Sequence, residues 1–117
     1  MKKQFRLRQA EDYARLRREG RDYRHPFFIL SLAPNTLGYN RYGFIAVKRL
    51  GKAVVRNRAR RVLRESIRLL HPRLNPGFDF VVVVRPAMLG QSQAMIQDAL
   101  KELMRRAGLI MHEDVTP

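Results

Sequence analysis

The residues of this chain best suited to chemistry stand in one short string, Arg56-Asn57-Arg58-Ala59-Arg60-Arg61, continued by Arg64 and Arg68. A guanidinium presents a planar, rigid fork that pairs bidentately with phosphate and stacks on flat rings. Projected at about 100° per residue, Val55, Ala59, Val62, Leu63, Ser66, Ile67 and Leu70 fall on one arc, and Arg56, Asn57, Arg60, Arg61, Arg64 and Arg68 on the opposite one. Glu65 and Arg58 lie at the flank. A merely soluble helix interleaves Glu among its cations; here like charges four residues apart repel with almost no carboxylate between them. The pattern predicts a helix with a core side and a phosphate-gripping side.

No other constellation competes with this face. His25, His71 and His112 are scattered, and His71, just before Pro72, reads as a solvated or dipole-complementing residue at a helix end. Metal-dependent nucleases need clustered oxygen ligands, but the carboxylates are dispersed. Asp79 leads a strand, and Asp98 and Glu102 share a solvated face of the last helix. There is no P-loop, no glycine-rich phosphate cradle and no Cys/His zinc spacing. No catalytic residue, no protein-borne metal site and no small-molecule substrate are expected.

Charge points the same way. The 117 residues carry 24 Lys+Arg against 10 Asp+Glu, a formal net charge of +14. A balance this basic repels itself in the compact state and is relieved by a polyanion. The excess is concentrated: residues 48–73 hold ten basic side chains and one acid, whereas residues 74–117 hold four basic and five acidic ones. Nucleic acid is the expected partner. No run of about 18 apolar residues predicts a membrane span, and the N-terminal MKKQFRLRQAED has no apolar stretch after its lysines. With 0 Cys, disulfides and thiolate metal sites are excluded, and the expected compartment is the cytoplasm.

Simple elements must position the arginine face. Residues 9–19 read as a short helix stopped by Gly20. Phe27 to Ala33 reads as a strand ending in the turn-rich Pro34-Asn35-Thr36-Leu37-Gly38, and Tyr42 to Lys48 as a second strand, its hairpin partner. The basic helix spans 53–70, with Gly51 as a weak start signal and Pro72 as its stop. Phe78 to Val84 is a continuous β-branched strand buried on both faces. A last helix covers 92–107, capped by Ser92, striped by Met95, Ile96, Ala99, Leu100, Leu103 and Met104, and ended by Gly108. The expectation is one domain over residues 1–117, α+β in class, in the order α-β-β-α-β-α, with a small mixed sheet packed by helices.

The string from Gly51 through Lys52-Ala53-Val54-Val55-Arg56-Asn57-Arg58 to Glu65 closely resembles the Arg-Asn-Arg signature helix of bacterial ribonuclease P proteins. The resemblance covers most of the chain: Arg6-Leu7, Glu11-Asp12-Tyr13, Gly20, Phe28, Gly43, Val47-Lys48-Arg49-Leu50-Gly51, and Gly77-Phe78-Asp79 before the valine run. It implies a subunit that binds the catalytic RNA of ribonuclease P and the 5′ leader of precursor tRNA. The partner RNA, with magnesium bound mainly by that RNA, removes the leader. It implies RNA contacts at Arg56, Asn57, Arg58, Arg61 and Arg68, with Lys48, Arg49 and Lys52 beside them. It also implies a leader cleft between sheet and helices, for which Tyr13, Arg60 and Arg64 are the matching candidates. An aromatic ring stacks on an unpaired base and Arg holds the backbone.

The family often has an aromatic at the position of Arg17, and sometimes at that of Ser31. Neither is aromatic here, and Phe27 is the candidate substitute from the strand face of Ser31. The resemblance further implies a left-handed β-α-β crossover around the signature helix, against the right-handed default. Two other classes remain as alternatives: a structural or ribosomal RNA-binding protein without a role in tRNA processing, and a self-sufficient endoribonuclease that would cleave without added RNA. Tyr13 would then be a core aromatic between helix and sheet. A membrane-surface role fits least, because the apolar arc of the basic helix carries small and β-branched residues suited to a core.

Overall fold

The valine run takes the middle of the sheet. In the computed structural model, which describes residues 2–111 and so leaves His112 outside the described residues, strand β4 (Phe78–Val84) has neighbours on both edges. Strand β2 (Phe28–Pro34) pairs with it antiparallel, from Phe28 opposite Val84 to Pro34 opposite Phe78. Strand β3 (Arg41–Ile45) pairs with it in parallel, from Arg41 opposite Asp79 to Ile45 opposite Val83. Asp79 through Val82, and Val84, are buried, as the unbroken apolar run predicts.

The expected hairpin between the strand from Phe27 and the strand from Tyr42, here β2 and β3, is therefore wrong, because β4 lies between them. A run apolar on both faces buries most at the sheet centre, where both of its edges also find hydrogen-bonding partners. The hairpin partner of β2 is instead a strand the sequence pattern did not show, β1 (Arg21–Arg24), giving the order β1-β2-β4-β3. Its residues, RDYR, carry almost no apolar signal. The strand exists because the turn at His25–Phe27 closes on itself, His25 N–H donating to the Phe28 carbonyl at 2.9 Å and Phe28 N–H to that of His25 at 3.2 Å.

Helices cover both faces. Phe28, Leu30, Tyr42, Phe80 and Val82 face helices α2 (Ala53–Leu70) and α3 (Gln93–Arg106), meeting Leu63, Ile67, Ile96, Leu100 and Leu103 in the main core. Helix α2 has the predicted bounds, and its predicted core arc is buried apart from the partly covered Val62 and Val55, which is 36% exposed. The Ser92 hydroxyl caps α3 by accepting from the Met95 N–H at 3.2 Å. On the opposite face, Leu16 of helix α1 (Ala10–Glu19) packs with Leu7, Ala33 and Val81 in a smaller cluster. The N-terminal segment covers the outer edge of β3, Leu7 N–H donating to the Tyr42 carbonyl at 2.8 Å, which protects an otherwise open strand.

Asp79 fastens these parts together. Its side chain is fully buried, and it receives Arg15 of α1, Arg41 of β3 (2.8 and 2.9 Å) and the Asn35 amide (2.9 Å). Arg15 also reaches the Pro34 carbonyl at 3.0 Å, and Arg41 reaches Asp12 at 3.3 Å. Burial alone would push this carboxyl up. The hydrogen bonds from Arg41 and Asn35 and the charges of both arginines outweigh burial and hold it below its ordinary value.

A carboxyl lowered in the folded state stabilises the fold above its ordinary value of 3.8, and that contribution is lost as pH falls through the lower, folded value. Removing the charge leaves, among the described residues, Arg15 without a carboxylate and Arg41 with Asp12 alone, and breaking a largely buried pair costs about 3 kcal/mol. Asp79→Asn is therefore expected to lower stability by about that amount at neutral pH and to flatten the acid limb of the stability curve. Urea unfolding of both proteins at neutral and acid pH measures both effects; equal stability at neutral pH would contradict this role.

Candidate nucleic-acid interface

Helix α2 turns its arginines outward because the other side of the same turns is fixed in the core. Ala59, Leu63, Ser66, Ile67 and Leu70 are buried, and the helical repeat then carries Arg61, Arg64 and Arg68 to solvent. Arg56 bends back to the Gly51 carbonyl at 3.2 Å, and Arg60 donates to the Asn57 side chain at 2.8 Å. Arg68 is held by Glu65 through two bonds, of 2.6 and 3.0 Å. Among the described residues, Arg58, Arg60, Arg61 and Arg64 have no carboxylate in ion-pairing range. Lys48 and Arg49 stand exposed in a short turn (Lys48–Leu50) that ends at Gly51, whose φ of 141° suits glycine. Lys52 is the exposed residue before the first turn of α2. Arg60 and Arg64 thus line one hollow, Arg58 stands on the flank toward α3, and Arg68 is partly neutralised.

Beside the arginine face are two adjoining hollows. One, of about 320 Å³, is lined by Tyr13, Phe44, Arg60 and Arg64 and also by Arg6 and Arg8. The other, of about 360 Å³, runs between α1 and the sheet past Tyr13, Arg17, Asp22, Ser31 and Val83. Tyr13 belongs to both. Its hydroxyl donates to the Leu7 carbonyl at 3.1 Å, and its ring is half-buried over Gly43. A Cβ at Gly43 would stand 2.2 Å from the Tyr13 hydroxyl oxygen, so glycine is what lets the ring lie on β3. Burial, helped by the neighbouring Asp12 carboxylate, holds the Tyr13 phenol above its ordinary range.

The structure brings Tyr13, Arg60 and Arg64 together and sets Arg17 in the adjoining groove. It does not bring Phe27 there. The strand begins at Phe28, and Phe27 sits in the preceding bend, where its N–H donates to His25 Nδ1 at 3.0 Å and its ring meets the main core. The alternation that would have carried it to the face of Ser31 fails because that bend is outside the ladder. Ser31 itself donates to Asp22 at 2.6 Å. Arg6 and Arg8 are the lining residues the sequence reading missed as site residues. Their signal was the alternation Arg6-Leu7-Arg8, with Leu7 buried and both arginines exposed, which marks an extended segment.

His71 stands at the C-terminal end of α2, half-covered rather than freely solvated: Phe5 folds over it, with ring centroids 4.6 Å apart, and Nδ1 meets the Tyr42 hydroxyl at 2.7 Å. Glu102 pairs with Arg105 on the surface of α3. Among the described residues no group of three or more His, Asp or Glu side chains is placed to hold a metal ion. No described helix is long and apolar enough to cross a membrane.

A mixed sheet with one arginine-lined helix packed on its face, beside an aromatic and basic groove, defines a class of small basic α+β domains shaped to hold nucleic acid. Comparison with known proteins narrows this class. The family model for ribonuclease P matches residues 1–108. The ribonuclease P protein component of Roseiflexus castenholzii is 45% identical over 94% of this chain and 91% of its own length. That of Clostridium acetobutylicum is 33% identical over 96% of both. Among solved structures, a Staphylococcus aureus RNase P protein mutant superposes with a TM-score of 0.85 at 25% identity, covering 92% of each chain. The Thermotoga maritima RNase P protein superposes with a TM-score of 0.80 at 28% identity, covering 86% of this chain and 96% of its own. The chain belongs to the ribonuclease P protein family, whose members are the protein component of that endoribonuclease.

Gly43→Ala should force the Tyr13 ring off β3, because a flexible side-chain end yields before backbone does. The displaced phenol loses its shelter, so its pKa should fall back toward the ordinary 10.0. A ring-resonance titration of Tyr13 in both proteins measures this; an unchanged Tyr13 pKa in the folded variant would mean that β3 is not what shelters the ring.

Proposed function

We propose that this protein binds the catalytic RNA of ribonuclease P through the arginine face of α2 and holds the 5′ leader of precursor tRNA in the groove beside Tyr13. The observation that carries the reading is the one-signed face of α2, whose Arg60 and Arg64 also line the hollow containing Tyr13. Arg56, Asn57, Arg58 and Arg61, flanked by Lys48, Arg49 and Lys52, grip the phosphates of the RNA subunit. Arg68 joins them by exchanging Glu65 for phosphate. A single-stranded leader threads past Tyr13, which stacks on a base, while Arg60, Arg64, Arg6 and Arg8 hold its backbone and Arg17 continues the path.

The protein's work in this reading is to bind, orient and neutralise. Hydrolysis of the phosphodiester at the leader boundary belongs to the RNA subunit, which also holds most of the magnesium; no step runs through the protein's own carboxylates. The setting is the cytoplasm.

Reconstitution tests this. RNA-free protein should leave precursor tRNA intact, and protein with ribonuclease P RNA and magnesium should release the leader; cleavage by RNA-free protein would overturn the reading. In the same system Tyr13→Ala should weaken precursor tRNA by the worth of one stacked base, about 1–3 kcal/mol, and leave mature tRNA unaffected. A double Arg56→Ala, Arg61→Ala change should instead weaken assembly with the RNA subunit. Equal losses for both tRNAs, in a Tyr13 variant shown by circular dichroism to be folded, would remove Tyr13 from the leader path.

Phosphate contacts release condensed counterions, so the logarithm of RNA-subunit affinity should fall steeply and linearly with the logarithm of salt. Arg61→Ala, losing a cation with no carboxylate partner among the described residues, should reduce that slope by slightly under about one unit. Titrations across a salt series measure it, and a flat line would contradict a phosphate-driven interface.

A further inference from the structure

Another pocket lies at the C-terminal end of α2, sharing Tyr42 with the hollow beside Tyr13. Residues Phe5, Tyr42, His71, Lys2 and Arg68 enclose about 300 Å³ where the N-terminal segment crosses the C-terminal end of α2. Its wall is aromatic: the Phe5 ring leans on His71 at 4.6 Å and on Tyr39 at 5.9 Å. Its floor is Tyr42, only 2% exposed. The volume is at the low end of the range of ligand sites, about 300–1,000 Å³, enough for one nucleotide and too small for a duplex. Lys2 stands exposed at the mouth with no carboxylate partner among the described residues, and Arg68 stands opposite it, already bonded to Glu65.

One polar group in this wall is fixed in place. Burial pushes the Tyr42 phenol far up, so it keeps its proton, and its partner is His71 Nδ1 at 2.7 Å. Burial also lowers the His71 pKa, which favours the neutral ring. With Nδ1 engaged by the Tyr42 hydroxyl, Nε2 is the ring nitrogen without a partner among the described residues, and it carries the hydrogen when the hydroxyl donates to Nδ1. The pocket therefore combines a ring face for stacking, one open imidazole nitrogen and a cationic rim.

We propose that this pocket captures one unpaired nucleobase of the RNA strand lying along α2. The base stacks against Phe5, its edge meets His71 Nε2, and the adjoining phosphate meets Lys2. An apolar ligand would have no use for the rim, and a duplex cannot enter. Continuity with the arginine face through Arg68 makes a strand already gripped by Arg61 and Arg64 the natural occupant. This proposal rests on the reading of α2 as an RNA-binding face.

The probes are penta-adenylate and an abasic ribose-phosphate pentamer of equal charge, titrated into the whole protein while α2 amide and Phe5 and His71 ring resonances are followed. Both pentamers should move α2 amides, and only penta-adenylate should move the two rings. In a Tyr13→Ala background, which removes the competing stacking site, Phe5→Leu should weaken penta-adenylate about tenfold and leave the abasic strand unchanged. Penta-adenylate that shifts α2 but leaves both rings still in the unaltered protein overturns the pocket and spares the arginine face. Equal affinity of a folded Phe5→Leu protein for penta-adenylate does the same. If neither pentamer shifts α2, the RNA-face reading fails and the pocket falls with it.

Discussion

The architecture hangs on a single buried charge. Asp79 sits in the central strand with no exposure of its side chain and is tolerated there because Arg15, Arg41 and Asn35 reach it from three different segments. Isolated burial of a carboxylate costs several kcal/mol, and partners offset that cost only when their geometry is set. Folding thus requires α1, β3 and the loop after β2 to arrive at one point. Once α1 is pinned at Arg15, Tyr13 half a turn before it is held over Gly43, and the space left between α1 and the sheet becomes the groove. The width of that groove is a consequence of the ion cluster at its far end.

The second constraint is how the charges are apportioned. Arginines four apart on α2 repel at roughly 0.2–0.5 kcal/mol a pair, which alone would discourage the helix. Burying Leu63, Ile67 and Leu70 contributes about 1.5–3 kcal/mol each, so packing wins and the repulsion persists as stored unfavourable energy on the outer face. Carboxylates that could have relieved it are engaged elsewhere: Asp79 in the sheet, Glu102 on Arg105 of α3, and Glu65 on Arg68 at the end of the row. A polyanion laid along α2 removes the remaining repulsion, and the same face is therefore stabilised by the partner it is charged to bind.

Much of this was legible in the sequence because it depends on local period. The bounds of α2, the Ser92 cap of α3, both-face burial of Phe78–Val84 and the one-sided arginine row follow from spacing within single elements. The Arg-Asn-Arg string placed the chain in its family for the same reason: it is a contiguous pattern with one physical use. Elements whose existence depends on another part of the chain were hidden. Strand β1 has no apolar alternation and is made by its hairpin, and Phe27 leaves the strand face through a bend that no residue type announces.

What the sequence by itself determined is therefore the inventory: three helices, the buried strand and the cationic face. Only the tertiary structure decided the neighbours. It set β4 between β2 and β3 where a hairpin was expected, brought Arg6 and Arg8 beside Arg60 and Arg64, and folded Phe5 over His71 to close a third pocket. The physical reason is that periodicity records which side of an element avoids water, whereas the partner on that side is chosen by competition among all buried surfaces. In this chain Asp79 and the valines behind it settle that competition at long range in sequence.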